Sequence, residues 1–453
     1  MEKAKSYDVF VIGAGPGGYT AAILAAKKGL TVGIAEGSRL GGTCTNTGCI
    51  PAKTYIESVN LLKKIREAAK FAIDVEKPRL DFPRLKARKD RIVTRLSKGI
   101  EFLLKKQGVD VFPCTASVPE PGSVIAGDVL LHTGNTIIAT GSRPKRLAIF
   151  EKSGIWTSDE VFEATSMPAS LAIVGGGVIG MEMAHVFSTM GTDVTIIEAM
   201  DRILPLEDKS VSEYMSRIYR KVHILTSSRV TGVEGPEPWR ILVDSPGGGR
   251  TVEADKVLLC IGRQPLTPPR IEELGLERTA SGGIRVDEFM RASIPGIYAI
   301  GDVTGEYMYA YVASKEAETA VDHIMGGERK ISYRNIPSII FTDPEVASVG
   351  SATDMTEVNG VRSGTFPVSA LGRARTMEEN EGYAEVVSSR SGVIEKINIV
   401  APHATELIPW AGLAVDRDLT IDEFLGPYYP HPLLAEVVKE AAEDIMGFSI
   451  HHP

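Results

Sequence analysis

At 453 residues the chain exceeds a single small fold and, at roughly 100 to 200 residues per domain, holds material for two to four domains. Hydrophobic residues at 43% and charged residues at 24% exclude a disordered or collagen-like chain. Fifty Lys and Arg against 58 Asp and Glu give a formal charge of −8, which works against phosphate backbones and anionic lipid, so nucleic acid and membrane are not expected partners.

The opening residues MEKAKSYDVFVIG run from a few charges straight into a strand, without an apolar run and cleavage site. Four Cys are too few for a secreted disulfide framework. Both features lead to the expectation of a soluble, cytoplasmic protein. Residues 8–12 (DVFVI) form a short apolar strand, followed by Gly13-Ala-Gly15-Pro-Gly-Gly18 and a helical run. In such a turn the first Gly allows the tight bend, the second lets a pyrophosphate approach the backbone, and the third lets helix pack on strand. A second strand, TVGIAE, ends at Glu36, placed to accept hydrogen bonds from a ribose.

Next comes Gly41-Gly42-Thr43-Cys44-Thr-Asn-Thr-Gly48-Cys49-Ile-Pro51-Ala-Lys53. In an ideal helix a five-residue separation puts Cα atoms about 8 to 9 Å apart, beyond the roughly 7 Å that a disulfide spans. A redox-active pair therefore requires a broken backbone between the two Cys. Gly48 supplies the freedom, and Pro51 suits a first helical turn, so the pair should straddle a helix start. There the positive end of the dipole would favour a thiolate. The alternative is a pair of small buried hydrophobes; a zinc site would need two further ligands, and none is placed for it. Lys53 reads either as a solvated helix lysine or as a cation beside a cofactor ring, with Glu182 as its counter-charge.

The strand NTIIATG (135–141) closes the first half, and the pattern then repeats. Residues 171–174 lead into Gly175-Gly-Gly177-Val-Ile-Gly180, the helix MEMAHVFSTMG and the strand DVTIIE ending at Glu198. The interval from Gly13 to Glu36 and from Gly175 to Glu198 is 23 in both cases (36 − 13 and 198 − 175). An acidic residue at that position would repel a 2′-phosphate, so Glu198 argues for NAD over NADP. KVLLCIG (256–262) closes this half, and PGIYAIGD (295–302) is a strand ending in Asp302, either a cap or a contact to a hydroxylated nucleotide.

With these motifs in this order, the chain resembles the flavin-dependent pyridine nucleotide-disulfide oxidoreductases over essentially its whole length, and within them the dihydrolipoamide-oxidising branch. The resemblance implies an α/β fold: a Rossmann-like FAD domain (1–143), a Rossmann-like NAD domain (144–265), a central segment (266–335) completing the first, and a C-terminal α+β interface domain (336–453) through which a homodimer forms. It implies that Gly13, Gly15, Gly18, Glu36, Gly42, Thr43, Lys53, Ala116, Thr140, Gly141 and Asp302 hold FAD, with Met308, Tyr309, Ala310 and Tyr311 at the flavin's edge. Gly175, Gly177, Gly180, Glu182, Glu198, Val230 and Gly262 would surround NAD.

Tyr429-Pro-His431-Pro432-Leu-Leu-Ala-Glu436 matches the family's His-Pro with a Glu five places after the His. By resemblance His431 is the acid/base, oriented by Glu436 and acting across the dimer interface, with Pro432 at a helix's first position; alone, a His before Pro reads as a loop or capping residue. The implied partner is dihydrolipoamide or a lipoyl-carrier protein, and no metal is expected. The chain departs from the family at Tyr309-Ala310-Tyr311-Val312, at Leu433, and at 400–406, where His403 has no assigned role. A glutathione-type or mercuric-type reductase and a non-catalytic electron-relay flavoprotein remain as rival readings. Glu198 speaks against the first, and the joint presence of Cys44, Cys49, His431 and Glu436 against the last.

Overall fold

The computed structural model describes residues 5–236, 238–351 and 361–452. The chain divides into two compact units, one of Met1–Tyr55, Asp81–Met167 and Lys256–Ser332, the other of Ile56–Leu80, Pro168–Asp255 and Tyr333–Pro453.

The first unit is built on a sheet whose strands lie in the order Asp110–Phe112, Val32–Ala35, Ser6–Ile12, Val129–Ile138, Ser123–Ala126, Ala116–Ser117. Ser6–Ile12 pairs in parallel with Val32–Ala35 and with Val129–Ile138. Its run Val9, Phe10 and Val11 is wholly buried, as a parallel strand covered on both faces requires. Ile297–Ala299 joins the same sheet in parallel with Val129–Ile138, so the PGIYAIGD segment returns to the first glycine motif. The helices Pro16–Lys27 and Ala310–Ile324 pack together. Gly17 permits the contact, since a Cβ there would stand 3.2 Å from the Ala313 carbonyl oxygen.

In the second unit the strands Ser170–Val174, Asp193–Ile197 and His223–Leu225 run parallel. Three antiparallel strands follow, Arg229–Glu234, Trp239–Ser245 and Gly248–Ala254. The C-terminal part is a five-stranded antiparallel sheet in the order Ser338–Ile340, Glu345–Gly350, Ile394–Ala401, Tyr383–Ser388, Arg362–Pro367, with helices Ala404–Asp416 and Glu436–Ile445 packed against it. One core of Val349, Phe366, Ile397, Ile399, Ile408 and Val437 fills the space between sheet and helices. Ser338 and Ser348 donate to the Glu207 carboxylate at 2.6 and 2.7 Å, tying this sheet to the turn after Asp193–Ile197. The alternation of two α/β patterns followed by an α+β segment is as the sequence led us to expect. Among the described residues no helix is long and apolar enough to cross a membrane.

Candidate active site

The two glycine turns are built alike. Gly13 and Gly175 have φ of +100° and +107°, where a side chain is strained. A Cβ on Gly18 would stand 1.8 Å from the Gly13 carbonyl oxygen, and one on Gly180 would stand 2.0 Å from that of Gly175. The helices can therefore begin this close to their strands only with glycine. The middle glycines differ in kind: a Cβ on Gly15 would meet nothing nearer than the Gly42 Cα at 4.0 Å, and one on Gly177 would meet nothing within 4 Å. Packing within the chain does not demand glycine at either place. A diphosphate resting on the backbone at the helix N-terminus does, so the residues present fit a dinucleotide.

The acidic residues complete each cradle in the same way. Glu36 accepts from the Ala14 N–H through Oε2 at 2.8 Å and from the Ser38 N–H through Oε1 at 2.9 Å. Glu198 accepts from the Gly176 N–H through Oε2 at 2.6 Å and from the Met200 N–H through Oε1 at 2.7 Å. Each carboxylate is thus fixed between the glycine turn and the end of the second strand. A carboxylate has about four acceptor positions, so lone pairs remain for ribose hydroxyls.

The cysteines lie on two successive helices, Cys44 inside Gly42–Asn46 and Cys49 as the first residue of Cys49–Arg66. The break between them is the backbone distortion that the spacing required. Gly48 makes it possible, since a Cβ there would lie 3.0 Å from the Thr43 carbonyl oxygen. Asn46 clamps the loop by donating from Nδ2 to the carbonyls of Gly42 at 2.9 Å and Leu40 at 3.2 Å. Gly42, at φ +57°, lies against the first glycine turn: a Cβ on it would stand 2.7 Å from Gly15 Cα, while Gly41 N–H donates to the Ala14 carbonyl at 2.9 Å. Both cysteines are thiols, and a hydrogen bond between the Cys44 and Cys49 side chains raises the Cys44 pKa, burial adding to the rise. The Lys53 ammonium pulls the other way, favouring a Cys44 thiolate.

The remaining expected positions fall as follows. Gly141 and Gly262 both have positive φ, +74° and +97°, with open space where a Cβ would lie. The short strands that follow them, Ser142–Pro144 and Arg263–Pro265, pair antiparallel. Thr140 Oγ1 donates to the Leu266 carbonyl. Asp302 does not end a strand; the strand stops at Ala299 because Gly301, at φ +72°, turns the chain into a 3-10 turn over Gly301–Thr304. Its carboxylate accepts from Ser142 Oγ, and Arg263 Nε stands 3.9 Å away. Tyr309 directly precedes the helix Ala310–Ile324 and stacks on Tyr311 with ring centroids 5.3 Å apart; Met308 is half-buried ahead of it, and Ala310 is the helix's first residue. Ala116 is buried in its edge strand, and Val230 lies at an irregularity in the pairing of Arg229–Glu234. Glu182 is buried and accepts from the Phe341 N–H at 3.1 Å.

His431 and Glu436 meet: Nδ1 and Oε1 are 2.9 Å apart, and Glu436 Oε2 accepts from the Leu433 N–H at 2.7 Å. The side chain of His431 is 73% exposed. One expectation is corrected here. Pro432 is not at a helix's first position; the His431–Pro432 peptide is cis and the helix begins at Glu436. An acidic side chain favours the free N–H groups of a first turn, and Glu436 takes that position while reaching back to the histidine. His403 is exposed at φ +57°, ahead of the helix Ala404–Asp416.

Three supporting groups were missed in the sequence: Ser142 and Arg263 around Asp302, Asn46 in the dithiol loop, and Asn60, whose Oδ1 lies 2.7 Å from His185 Nε2. Ser142 directly follows Gly141 and Asn46 lies between the two Cys, so position alone offered a signal for both. Nothing in the sequence links Asn60 to His185.

The profile of the pyridine nucleotide-disulphide oxidoreductase family matches residues 7–317, and that of the family's dimerisation domain matches residues 336–442. Dihydrolipoyl dehydrogenases of Bacillus subtilis and Chlamydia pneumoniae are 37% and 36% identical to the chain, each alignment covering 99% of it and 100% and 99% of the relative. Among solved structures, LpdA from Mycobacterium tuberculosis superposes with a TM-score of 0.87 at 28% identity, covering 97% of this chain and 99% of that one. The HOCl-induced flavoprotein disulfide reductase RclA from Escherichia coli gives 0.86 at 27% identity, covering 96% and 99%. Two matched cradles, a dithiol loop fastened to the first of them and profiles spanning nearly the whole length together establish that the chain belongs to the pyridine nucleotide-disulphide oxidoreductase family.

Proposed function

We propose that the chain is a dihydrolipoamide dehydrogenase that oxidises a lipoyl dithiol and reduces NAD through a Cys44–Cys49 disulfide. Segments 1–143 and 266–335 hold FAD, 144–265 holds NAD, and 336–453 joins two copies. One observation carries the reading: Cys44 and Cys49 touch in a loop whose Gly42 backbone lies on Gly15 of the first dinucleotide cradle. When bound, FAD and NAD supply the hydride chemistry that no side chain can perform.

The residues of the chain handle thiols and protons. His431 Nε2, across the interface from the partner copy, takes a proton from one substrate thiol, while Glu436 fixes Nδ1 and stabilises the imidazolium. The substrate thiolate attacks Cys44 Sγ, the Cys44–Cys49 bond breaks, and Cys49 leaves as thiolate. The second substrate thiol then displaces Cys44 Sγ, its proton passing to the departing Cys44 sulfur as the substrate's disulfide closes; the electron pair now rests on the Cys44 thiol and the Cys49 thiolate. Lys53 and the helix start favour thiolate within the pair. Glu36 and Glu198 orient the two riboses, and Glu198 selects NAD.

Turnover is measured with dihydrolipoamide and NAD, and with glutathione disulfide or mercuric ion and either reduced nicotinamide. Only the first pair should react. Cys44→Ser should reduce dithiol oxidation to background while NADH still bleaches the bound flavin. Retained dithiol turnover in that variant would remove Cys44 from the attack step.

A further inference from the structure

The helix Phe82–Lys106 carries nine Lys or Arg and two acidic residues, in a chain whose formal charge is −8. Its buried face holds Phe82, Leu85, Val93, Ile100 and Leu104. Arg84, Arg88, Arg91, Arg95 and Lys98 follow one another at intervals of four and three and so share the opposite face. Over that span, at 1.5 Å per residue, the stripe is about 21 Å long. Its two acidic neighbours, Asp90 and Glu101, lie to one side of it. Asp90 is already engaged by Lys89 at 2.6 Å and Lys86 at 3.0 Å. Arg91, Arg95 and Lys98 are exposed and make no ion pair among the described residues; with Asp90 and Thr94 they line a surface concavity of about 470 Å³.

The helix that carries the stripe packs beside the dithiol loop. Ser97 Oγ donates to the Leu40 carbonyl at 2.9 Å, just ahead of the helix that holds Cys44. Arg88 Nη1 donates to the Thr54 carbonyl at 3.1 Å, on the helix that begins with Cys49. Resting on the dithiol reading above, we propose that this helix face docks an acidic carrier protein, one presenting carboxylates around the arm that brings its dithiol to Cys44. Exposed cations give little to a small anion that stays in water, whereas an extended positive face steers and orients a large negative one. The face is long, shallow and solvated, which matches a protein surface.

The probe is a reduced lipoyl domain of net negative charge, compared with the same domain after its surface Asp and Glu are changed to Asn and Gln, and with free dihydrolipoamide. In low salt, Arg91→Glu with Arg95→Glu should lower kcat/KM for the acidic domain about tenfold or more and change free dihydrolipoamide by less than about twofold. Arg91→Lys with Arg95→Lys should stay near wild type. The difference should shrink as salt shortens the reach of the charges. An equal loss with both substrates, no loss with the acidic domain, or a changed oligomeric state would overturn the proposal, the last by placing the stripe between copies. Anionic vesicles that bind the wild type in competition with the domain would overturn it too. If the wild type oxidises no free dihydrolipoamide, the dithiol reading fails by itself, and the dock is then judged by whether the charge-reversed pair weakens direct binding of the same acidic domain.

Discussion

The two dinucleotide cradles share one frame and differ in what surrounds it. Glycine for glycine and carboxylate for carboxylate they coincide, down to the two backbone N–H groups that each glutamate accepts. The first is roofed by the dithiol loop, with Gly42 against Gly15; the second leaves Gly177 with open space. The helices diverge as well. Where the first has Thr20 and Ile23, the second has Glu182 and His185, both buried, the one bonded to Phe341 N–H and the other to Asn60. The frame therefore serves dinucleotide binding in general. The additions set two thiols beside the one site and anchor the other to the C-terminal sheet and to the later turns of the dithiol helix.

The largest effect that tests the common frame is steric. Gly180→Ala would set a methyl group 2.0 Å from the Gly175 oxygen, and overpacking of this kind costs about 3 kcal/mol or more. Thermal unfolding should move down by roughly 10 °C, and Gly18→Ala should do the same in the first cradle. Unchanged melting in either variant would break the comparison.

A second test concerns His185, which burial holds to a pKa of about 4, with Lys63 lowering it further and Asp343 opposing. The unfolded chain binds a proton on this histidine below about pH 6.5 and the folded chain only near pH 4. Stability should therefore fall as pH drops from 6.5 to 4, by at most about 3 kcal/mol. In denaturant titrations across that range His185→Gln should flatten the fall, and an unaltered profile would mean that another group titrates.

The smallest effect separates the cradles by their openness. Gly177→Ala meets nothing in the protein, so melting should hold within about 1 °C while the KM for NAD rises about tenfold, near 1.4 kcal/mol. Flavin content should stay at the wild-type level. Loss of flavin together with NAD affinity would show that the two sites are not independent.

Much of the site was legible in the chain because its chemistry is local. Gly13 to Glu36, Gly175 to Glu198, Cys44 to Cys49 and His431 to Glu436 are short intervals, and over short intervals backbone geometry leaves few alternatives. The misreadings arose where two local signals competed. Pro432 suits a helix start, yet the helix begins at Glu436, whose carboxylate holds both the Leu433 N–H and His431 just ahead of it.

By itself the sequence determined the two cradles and the broken helix between the cysteines, because turn, strand and helix signals act within a few residues. Only the tertiary structure decided that Gly42 lies on Gly15, that Ser142 reaches Asp302 across 160 residues, and that His185 finds Asn60 across 125. Such contacts join segments far apart in the chain, and they are selected by packing and by the need of buried polar groups for partners, neither of which is written in any local stretch.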